Sequence, residues 1–300
     1  MNGNPLLDQL RQFADTLAEK NISLIIGGGY GLLLKAKHIQ RTGARTRLEQ
    51  IPIARSTGDI DVFLTTEVIV DRNKMATIRQ ALDELGYAPV PGAEYYQFFR
   101  EVVIAGVSRN LKFDFLAAPV PSEEAKKVKA DVRRIRPRGP TETPMHAHTT
   151  PEALTIEEHL ISVDIGEADQ PIEVFLPHPF SYTLLKLFAL RDQIENEAKK
   201  FGRHHASDIY ATWAMMTKDE FAQAEDLRRD YADLGVMPEA LEIAAELFAD
   251  ENAKGLIRLK EHARAERVEL VELAEFIKDV RPLFLKGTST PLADTSPARD

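Results

Sequence analysis

The sequence predicts an α+β fold in which a mixed β-sheet core with helices is followed by a mostly helical C-terminal domain. Within the first 120 residues, short alternating or apolar segments typical of strands lie between amphipathic helices. From Phe180 to about Leu285, apolar residues recur at helical spacing almost throughout. The 300-residue chain is 44% hydrophobic and 28% charged, as globular chains usually are, which excludes wholesale disorder.

The predicted core begins with a helix and continues through strands. Residues 5–19 form an amphipathic helix, because Leu6, Leu10, Phe13 and Leu17 share one face. A polar, basic loop is expected over residues 40–57. The other predicted elements are a strand at 23–26, a glycine turn at 27–29, helices at 30–38 and 71–86, and strands at 59–64, 96–99, 101–104 and 111–116.

Composition changes after Pro119. Residues 119–151 contain six prolines and a basic run, which predict a linker or a long irregular excursion. Segments 160–165 and 172–176 predict a β-hairpin. We therefore expect a core at 1–120, a basic Pro-rich linker and β-hairpin at 121–177, a helical domain at 178–286 and a disordered tail at 287–300.

Several functional classes are excluded by composition. The chain has no cysteine, so disulfides, thiolate metal sites and a cysteine nucleophile are ruled out, and a reducing cytoplasm is favoured. No segment approaches the roughly 18 consecutive apolar residues of a membrane helix. Charges throughout the first 20 residues argue against a signal peptide. We expect a cytoplasmic protein with no membrane partner.

The charge of the chain is unevenly distributed. The net charge is −9, yet residues 35–55 carry six Lys/Arg against one Glu, and residues 126–138 carry seven Lys/Arg against one Asp. Such separation suits a protein that holds a polyanion at one face. Two solvated basic loops would give the same pattern, so charge alone leaves both interpretations open.

Two strands carry acidic residues in a pattern that suits a divalent cation. Asp59 and Asp61 lie two positions apart on a strand and therefore point the same way. Asp114 lies on the polar side of another alternating strand, beside Lys112. Clustered carboxylates repel one another unless a cation intervenes, and hard oxygen ligands suit Mg²⁺. Solvated acids on an exposed sheet face remain the alternative for each of them.

Two further features point to phosphate chemistry. Gly28 and Gly29 stand between a strand and a helix, where backbone amides can approach a phosphate, although a tight turn would need the same glycines. Lys186 lies among apolar residues on a predicted helix and needs an anion, either a triphosphate or the carboxylate of Asp208, unless it extends to solvent. Asp208 would bind Lys186 or cap a helix.

Taken in order, these motifs resemble the nucleotidyltransferase superfamily related to DNA polymerase β. Gly28-Gly29-Tyr30-Gly31-Leu32 is similar to its Gly-Gly/Ser motif, Thr57-Gly58-Asp59-Ile60-Asp61 to its Asp-x-Asp motif, and Lys112-Phe113-Asp114 to its third acidic strand. Within the superfamily the chain resembles the AbiEii/MenT-like toxins. Lys186 through Asp192 and Arg203 through Tyr210 match that group's two helical motifs.

The resemblance implies a nucleotidyltransferase-type sheet core and a Mg²⁺-dependent reaction, with Mn²⁺ as a substitute. The enzyme would transfer an NMP from an NTP to an acceptor hydroxyl, with tRNA or another RNA as the candidate acceptor, as the toxin of a toxin–antitoxin system with a cognate antitoxin. Asp59, Asp61 and Asp114 would bind metal, Gly28 and Gly29 the nucleotide phosphates, and Lys186, fixed by Asp208, the triphosphate. A small-molecule acceptor of the aminoglycoside type and a non-catalytic module that binds nucleotide or RNA are the alternatives.

Overall fold

The structure is a computed structural model that describes residues 5–52, 58–104, 106–131, 133–139, 144–167 and 169–284. These residues form ten α-helices and a ten-stranded mixed β-sheet. The helices are α1 (Pro5–Ala18), α2 (Gly28–Thr42), α3 (Thr66–Val70), α4 (Arg72–Glu84), α5 (Pro179–Gln193), α6 (Arg203–Ala214), α7 (Lys218–Tyr231), α8 (Met237–Leu247), α9 (Lys254–Glu266) and α10 (Leu273–Val280).

The ten strands all belong to one sheet. They are β1 (Ile25–Ile26), β2 (Asp59–Leu64), β3 (Ala88–Pro89), β4 (Gln97–Ile104), β5 (Val107–Ala117), β6 (Val128–Asp131), β7 (Arg134–Pro137), β8 (Ala147–Thr149), β9 (Ile161–Asp164) and β10 (Glu173–Leu176). Their order is β6-β7-β8-β5-β2-β1-β10-β9, and the β3–β4 hairpin joins through β4 to β5. The pairs β2–β5, β5–β8 and β1–β10 are parallel, so the sheet is mixed, as predicted.

Two large apolar clusters form the cores of the sheet and of the C-terminal helices, and smaller clusters join the two, one of them between α2 and the helices α5 and α6. One large cluster includes Phe13 of α1 and Phe113 and Phe115 of β5. A second cluster lies within the C-terminal helices and includes Trp213 and Phe276, both buried. The predicted order of a sheet-containing part and then a helical part is therefore confirmed, while the domain boundaries at residues 120, 177 and 286 stay predictions.

Most local predictions agree with the structure, with changes at the ends of elements. The helix predicted at 30–38 is longer, because α2 already begins at Gly28 and continues to Thr42. The two strands predicted at 96–99 and 101–104 are one continuous strand, β4. The hairpin predicted at 160–165 and 172–176 is confirmed as the antiparallel pair β9–β10. The predicted tail at 287–300 and residue Thr57 lie outside the described residues.

The expectation of a linker over residues 119–151 is wrong for the described part of that segment. It contributes three strands to the sheet, β6, β7 and β8. Val128, Ile135 and Ala147 are buried in the same cluster as the rest of the core. Each strand is only three or four residues long and Pro137 ends one of them, so the apolar alternation is too short to stand out among the prolines.

None of the helices in the described part of the chain has both the length and the apolar character needed to cross a membrane.

A buried ion pair ties the second helix to the helical part of the chain. Lys35 of α2 donates a hydrogen bond to Glu220 of α7, and both side chains are about nine-tenths buried. Burial lowers the pKa of Lys35, and the adjacent Glu220 opposes that change. Glu220 also accepts from the backbone N–H of Thr217 at 2.8 Å and completes a capping box.

We expect Lys35→Met to lower the free energy of unfolding by about 3–5 kcal/mol, because Glu220 would stay buried without its cation. The double variant Lys35→Met/Glu220→Gln should regain part of this loss, since glutamine removes the buried charge and can keep the capping box. Urea unfolding of both variants measures the difference. A double variant that is no more stable than Lys35→Met alone would contradict this account.

Candidate active site

The three predicted carboxylates come together on one face of the sheet. β2 and β5 are adjacent and parallel, with Asp61 in register with Asp114 and Asp59 in register with Lys112. Because side chains two positions apart on a strand share a face, all four polar side chains lie on the same side of the sheet. The strand residues between them point the other way into the main core. Asp59 is exposed, Asp61 is half-buried and the Asp114 side chain is 18% exposed.

Asp114 has the most strongly perturbed carboxyl group of the three. Burial raises its pKa to about 6, against an opposing contribution from Lys112; the charges of Asp61 and Asp59 add to the increase. The strand register places Asp61 beside Asp114, where its charge disfavours the ionised form of Asp114. A carboxyl group of this pKa can accept a proton near neutral pH.

Lys112 is a site residue to which the sequence analysis gave no role. Its Nζ atom lies 2.9 Å from each carboxylate oxygen of Asp114, so an ammonium group already occupies part of the acidic face. The alternation of residues 111–116 had placed Lys112 on the polar side of its strand. That signal did not reveal that its ammonium group would pair with Asp114.

The metal predictions for Asp59, Asp61 and Asp114 are only partly matched by this geometry. Asp61 and Asp114 face each other across neighbouring strands. In the residues that the structure describes, however, no group of three or more His, Asp or Glu side chains is placed to hold a metal ion. A metal centre with all three carboxylates as ligands therefore stays a prediction, although their oxygen atoms are the donor type that Mg²⁺ prefers.

The glycine turn lies directly against Asp61. The backbone N–H of Gly27 donates to the carbonyl oxygen of Asp61 at 2.8 Å. Gly28, with φ at +62°, is the first residue of α2, and a Cβ atom on it would overlap the Asp61 carboxylate. Gly29 is buried in the first turn of the same helix. The amino-terminal end of α2, which carries partial positive charge, is thus next to the acidic face.

Lys186 and Asp208 form a buried ion pair between α5 and α6. The distance from Lys186 Nζ to Asp208 Oδ2 is 2.7 Å, and the two side chains are 9% and 5% exposed. Asp208 lies in the second turn of α6 rather than at its first residue, so it does not cap the helix. Lys186 does not extend to solvent. Of the alternatives left open by the sequence, the structure therefore favours pairing for both residues.

Tyr182 connects this ion pair to the glycine turn, and the sequence analysis assigned it no function. Its hydroxyl group donates to the carbonyl oxygen of Gly28, and its ring lies 5.2 Å from Lys186 Nζ. Tyr182 is one helical turn before Lys186, which is the only sequence signal for the contact. Gly28 thus contacts Asp61 on one side and Tyr182 on the other, so a chain of contacts connects the acidic face through the glycine turn to Lys186.

Comparison of the sequence with models of known protein families and with curated proteins finds no match to either.

We expect Gly28→Ala to destabilise the fold more than Gly43→Ala. Both glycines have positive φ, +62° and +67°, so both variants carry the strain of a left-handed alanine. Only Gly28 faces the Asp61 carboxylate, whereas a Cβ atom at Gly43 would meet nothing within 4 Å. The additional overlap should cost about 1–3 kcal/mol in the free energy of unfolding, measured by urea unfolding. Equal losses of unfolding free energy in the two variants would show that the close approach of Gly28 to Asp61 adds no cost.

The raised pKa of Asp114 predicts how its replacement acts at different pH values. Between about pH 4 and pH 6 the folded chain binds the Asp114 proton and the unfolded chain releases it, so this carboxyl group lowers stability as pH rises through that range. Asp114→Asn removes the effect. Relative to the parent protein, its free energy of unfolding should improve by up to about 3 kcal/mol from pH 4 to pH 7.

Asp219→Asn, at an exposed position on α7, controls for the loss of one negative charge. Urea unfolding of the three proteins at a series of pH values measures the change. A difference between Asp114→Asn and the parent that does not vary with pH would refute the assignment.

Proposed function

We propose that the chain is a Mg²⁺-dependent nucleotidyltransferase that transfers an NMP from an NTP to an acceptor hydroxyl group and releases pyrophosphate. The observation that supports this best is the chain of contacts that connects paired acids, a glycine turn and a buried lysine. Asp61 contacts the turn at Gly28, and Gly28 contacts Tyr182, whose ring lies beside Lys186. Carboxylates, backbone amides and an ammonium group together suit a substrate that carries phosphates.

Asp59 and Asp61, with Asp114, would hold the divalent cation, Mg²⁺ or Mn²⁺. When bound, the cation supplies positive charge that stabilises the phosphoryl oxygens during displacement. The charge on this face supports such an ion: three acids lie there beside Lys112, whose single positive charge offsets only one of them, and whose side chain is 25% exposed.

Each remaining residue has a role that follows from its position. Asp114, in register with Asp61, accepts the proton of the acceptor hydroxyl group. The amides at Gly28 and Gly29 bind phosphate oxygens at the start of α2. Lys186 donates to the triphosphate, and Asp208 holds its ammonium group in place. Positioning and electrostatic stabilisation would then provide most of the rate acceleration.

The acceptor and the biological role are separate parts of the proposal. The resemblance to AbiEii/MenT-like toxins supports tRNA or another RNA as acceptor, a cytoplasmic toxin and a cognate antitoxin. A small-molecule acceptor would use the same acids and the same lysine. A non-catalytic module is disfavoured, because clustered carboxylates repel a polyanion and give no advantage to a protein that only binds RNA.

Incubation of the protein with each labelled NTP, total RNA and Mg²⁺ tests the activity. We expect label transfer that is abolished by EDTA, reduced at least 100-fold by Asp61→Ala and reduced at least tenfold by Lys186→Ala. Glu242→Ala, at an exposed position on α8, is the control and should leave transfer unchanged. Transfer that Asp61→Ala leaves undiminished, or the absence of transfer with every NTP, would refute the proposal.

A further inference from the structure

Basic residues of β6 and β7 lie on the same face of the sheet as the acidic residues of β2 and β5. Asp61 pairs with Asp114 between β2 and β5, and Leu116, two positions after Asp114, pairs with His148 of β8. His148 in turn pairs with Arg134 of β7. Since paired residues on adjacent strands lie on the same side of the sheet, Arg134 and the catalytic acids face the same way.

This face continues to the edge of the sheet. Arg136, two positions after Arg134, pairs with Lys129 on the outermost strand, β6. The row from β6 to β2 crosses five strands and therefore spans about 19 Å at the ~4.8 Å spacing of a sheet. We call the β6–β7–β8 part of this face the basic edge. Its most basic positions lie at the far end of the row from the acids.

Residues 126–138, which supply β6, β7 and the segments beside them, carry seven Lys/Arg, most of them exposed and without an ion pair to a described acid, although backbone hydrogen bonds and, to a smaller extent, the charge of Arg134 lower the pKa of Glu94. Three of the seven form ion pairs with described acids: Lys127 with Glu124, and Lys129 and Arg136 with the same Asp131. Arg133 and Arg134 form none with the acids that the structure describes, and both are exposed. The exposed cations are Lys126, Lys127, Lys129, Arg133, Arg134 and Arg138. An anionic partner can therefore reach them.

Stacked rings lie between these cations and the active site. Tyr95 stacks on His146 with ring centroids 4.3 Å apart and an angle of 7° between the ring planes, and the Arg134 guanidinium lies 5.9 Å from the Tyr95 ring. Tyr96 stacks on His148 at 5.4 Å. Arginine, tyrosine and histidine planes in such layers are the surfaces on which nucleobases stack.

The backbone places these rings beside Asp114. His146 donates its backbone N–H to the carbonyl oxygen of Tyr95 at 2.9 Å, and Phe115 donates to the carbonyl oxygen of Tyr96 at 2.8 Å. The next residue, Gln97, pairs directly with Asp114. The Tyr95–Tyr96 turn is therefore anchored to both β8 and β5, at the point where the basic edge meets the acids.

We propose that the basic edge is the docking surface for a single-stranded nucleic acid, whose phosphates contact Arg133, Arg134 and Lys129 and whose bases stack near Tyr95 and Tyr96. A single phosphate group or a triphosphate would not extend along a 19 Å row, whereas a polynucleotide carries a charge at every residue. A strand bound along the row leads towards Asp114. In that respect the inference rests on the proposed function, because it identifies the acceptor that the site would modify.

Binding of a fluorescein-labelled 12-nucleotide RNA, followed by fluorescence anisotropy, tests the surface without any turnover. We expect Arg133→Glu/Arg134→Glu to weaken binding at least tenfold. The slope of log K against log salt should also decrease in magnitude by about 1.4, for two lost phosphate contacts on a single strand. Lys20→Glu/Lys218→Glu is the matched control: it makes the same change in net charge at exposed positions outside the basic edge, and should weaken binding less than twofold.

Equal losses in the two double variants would overturn the inference, because binding would then follow overall charge. If the same RNA binds more tightly as a duplex, the inference that the bound nucleic acid is single-stranded is overturned.

Binding of NTP to the same proteins, measured by calorimetry with Mg²⁺, separates this inference from the proposed function. Arg133→Glu/Arg134→Glu should lose RNA but keep NTP, while Asp61→Ala should lose NTP but keep RNA. If the parent protein binds NTP and transfers the NMP but does not bind RNA, the docking surface alone is refuted.

Discussion

The contact between Tyr182 and Gly28 is the interaction on which the candidate site depends. It joins the first residue of α2, at the sheet, to α5, the first of the C-terminal helices. Lys186 follows one turn later on α5 and is held by Asp208 of α6. If α5 shifted along the sheet, Tyr182 would lose its contact with Gly28, and the buried ion pair would separate from the glycine turn.

A second constraint is the balance of charge within the sheet face. Burial raises the pKa of Asp114, and the charges of Asp61 and Asp59, which lie on the same face, add to the increase. Lys112 relieves some of it from within β5. Of the three acids only Asp114 is largely buried, so its charge most needs a partner. In the proposed function, a cation and phosphates beside the amino-terminal end of α2 would relieve the repulsion that remains.

The same sheet connects this charge balance to the basic edge. The chain has a net negative charge, yet β6, β7 and the turn between them bring cations to the face that carries the acids. Opposite charges at two ends of one face would orient a polyanion, with its phosphates over the arginines and its end near Asp114. The stacked pairs Tyr95–His146 and Tyr96–His148 occupy the intervening space.

The sequence by itself determined the features that depend on local periodicity. Alternation placed Asp59, Asp61 and Asp114 on polar strand faces, and helical spacing identified the C-terminal helices, because a strand or helix imposes its period on neighbouring residues. Only the tertiary structure decided which strands are neighbours, that β6, β7 and β8 join the sheet, and that Tyr182 contacts Gly28. These contacts join residues that are distant in the chain, so they are set by packing and strand register, which no local pattern specifies.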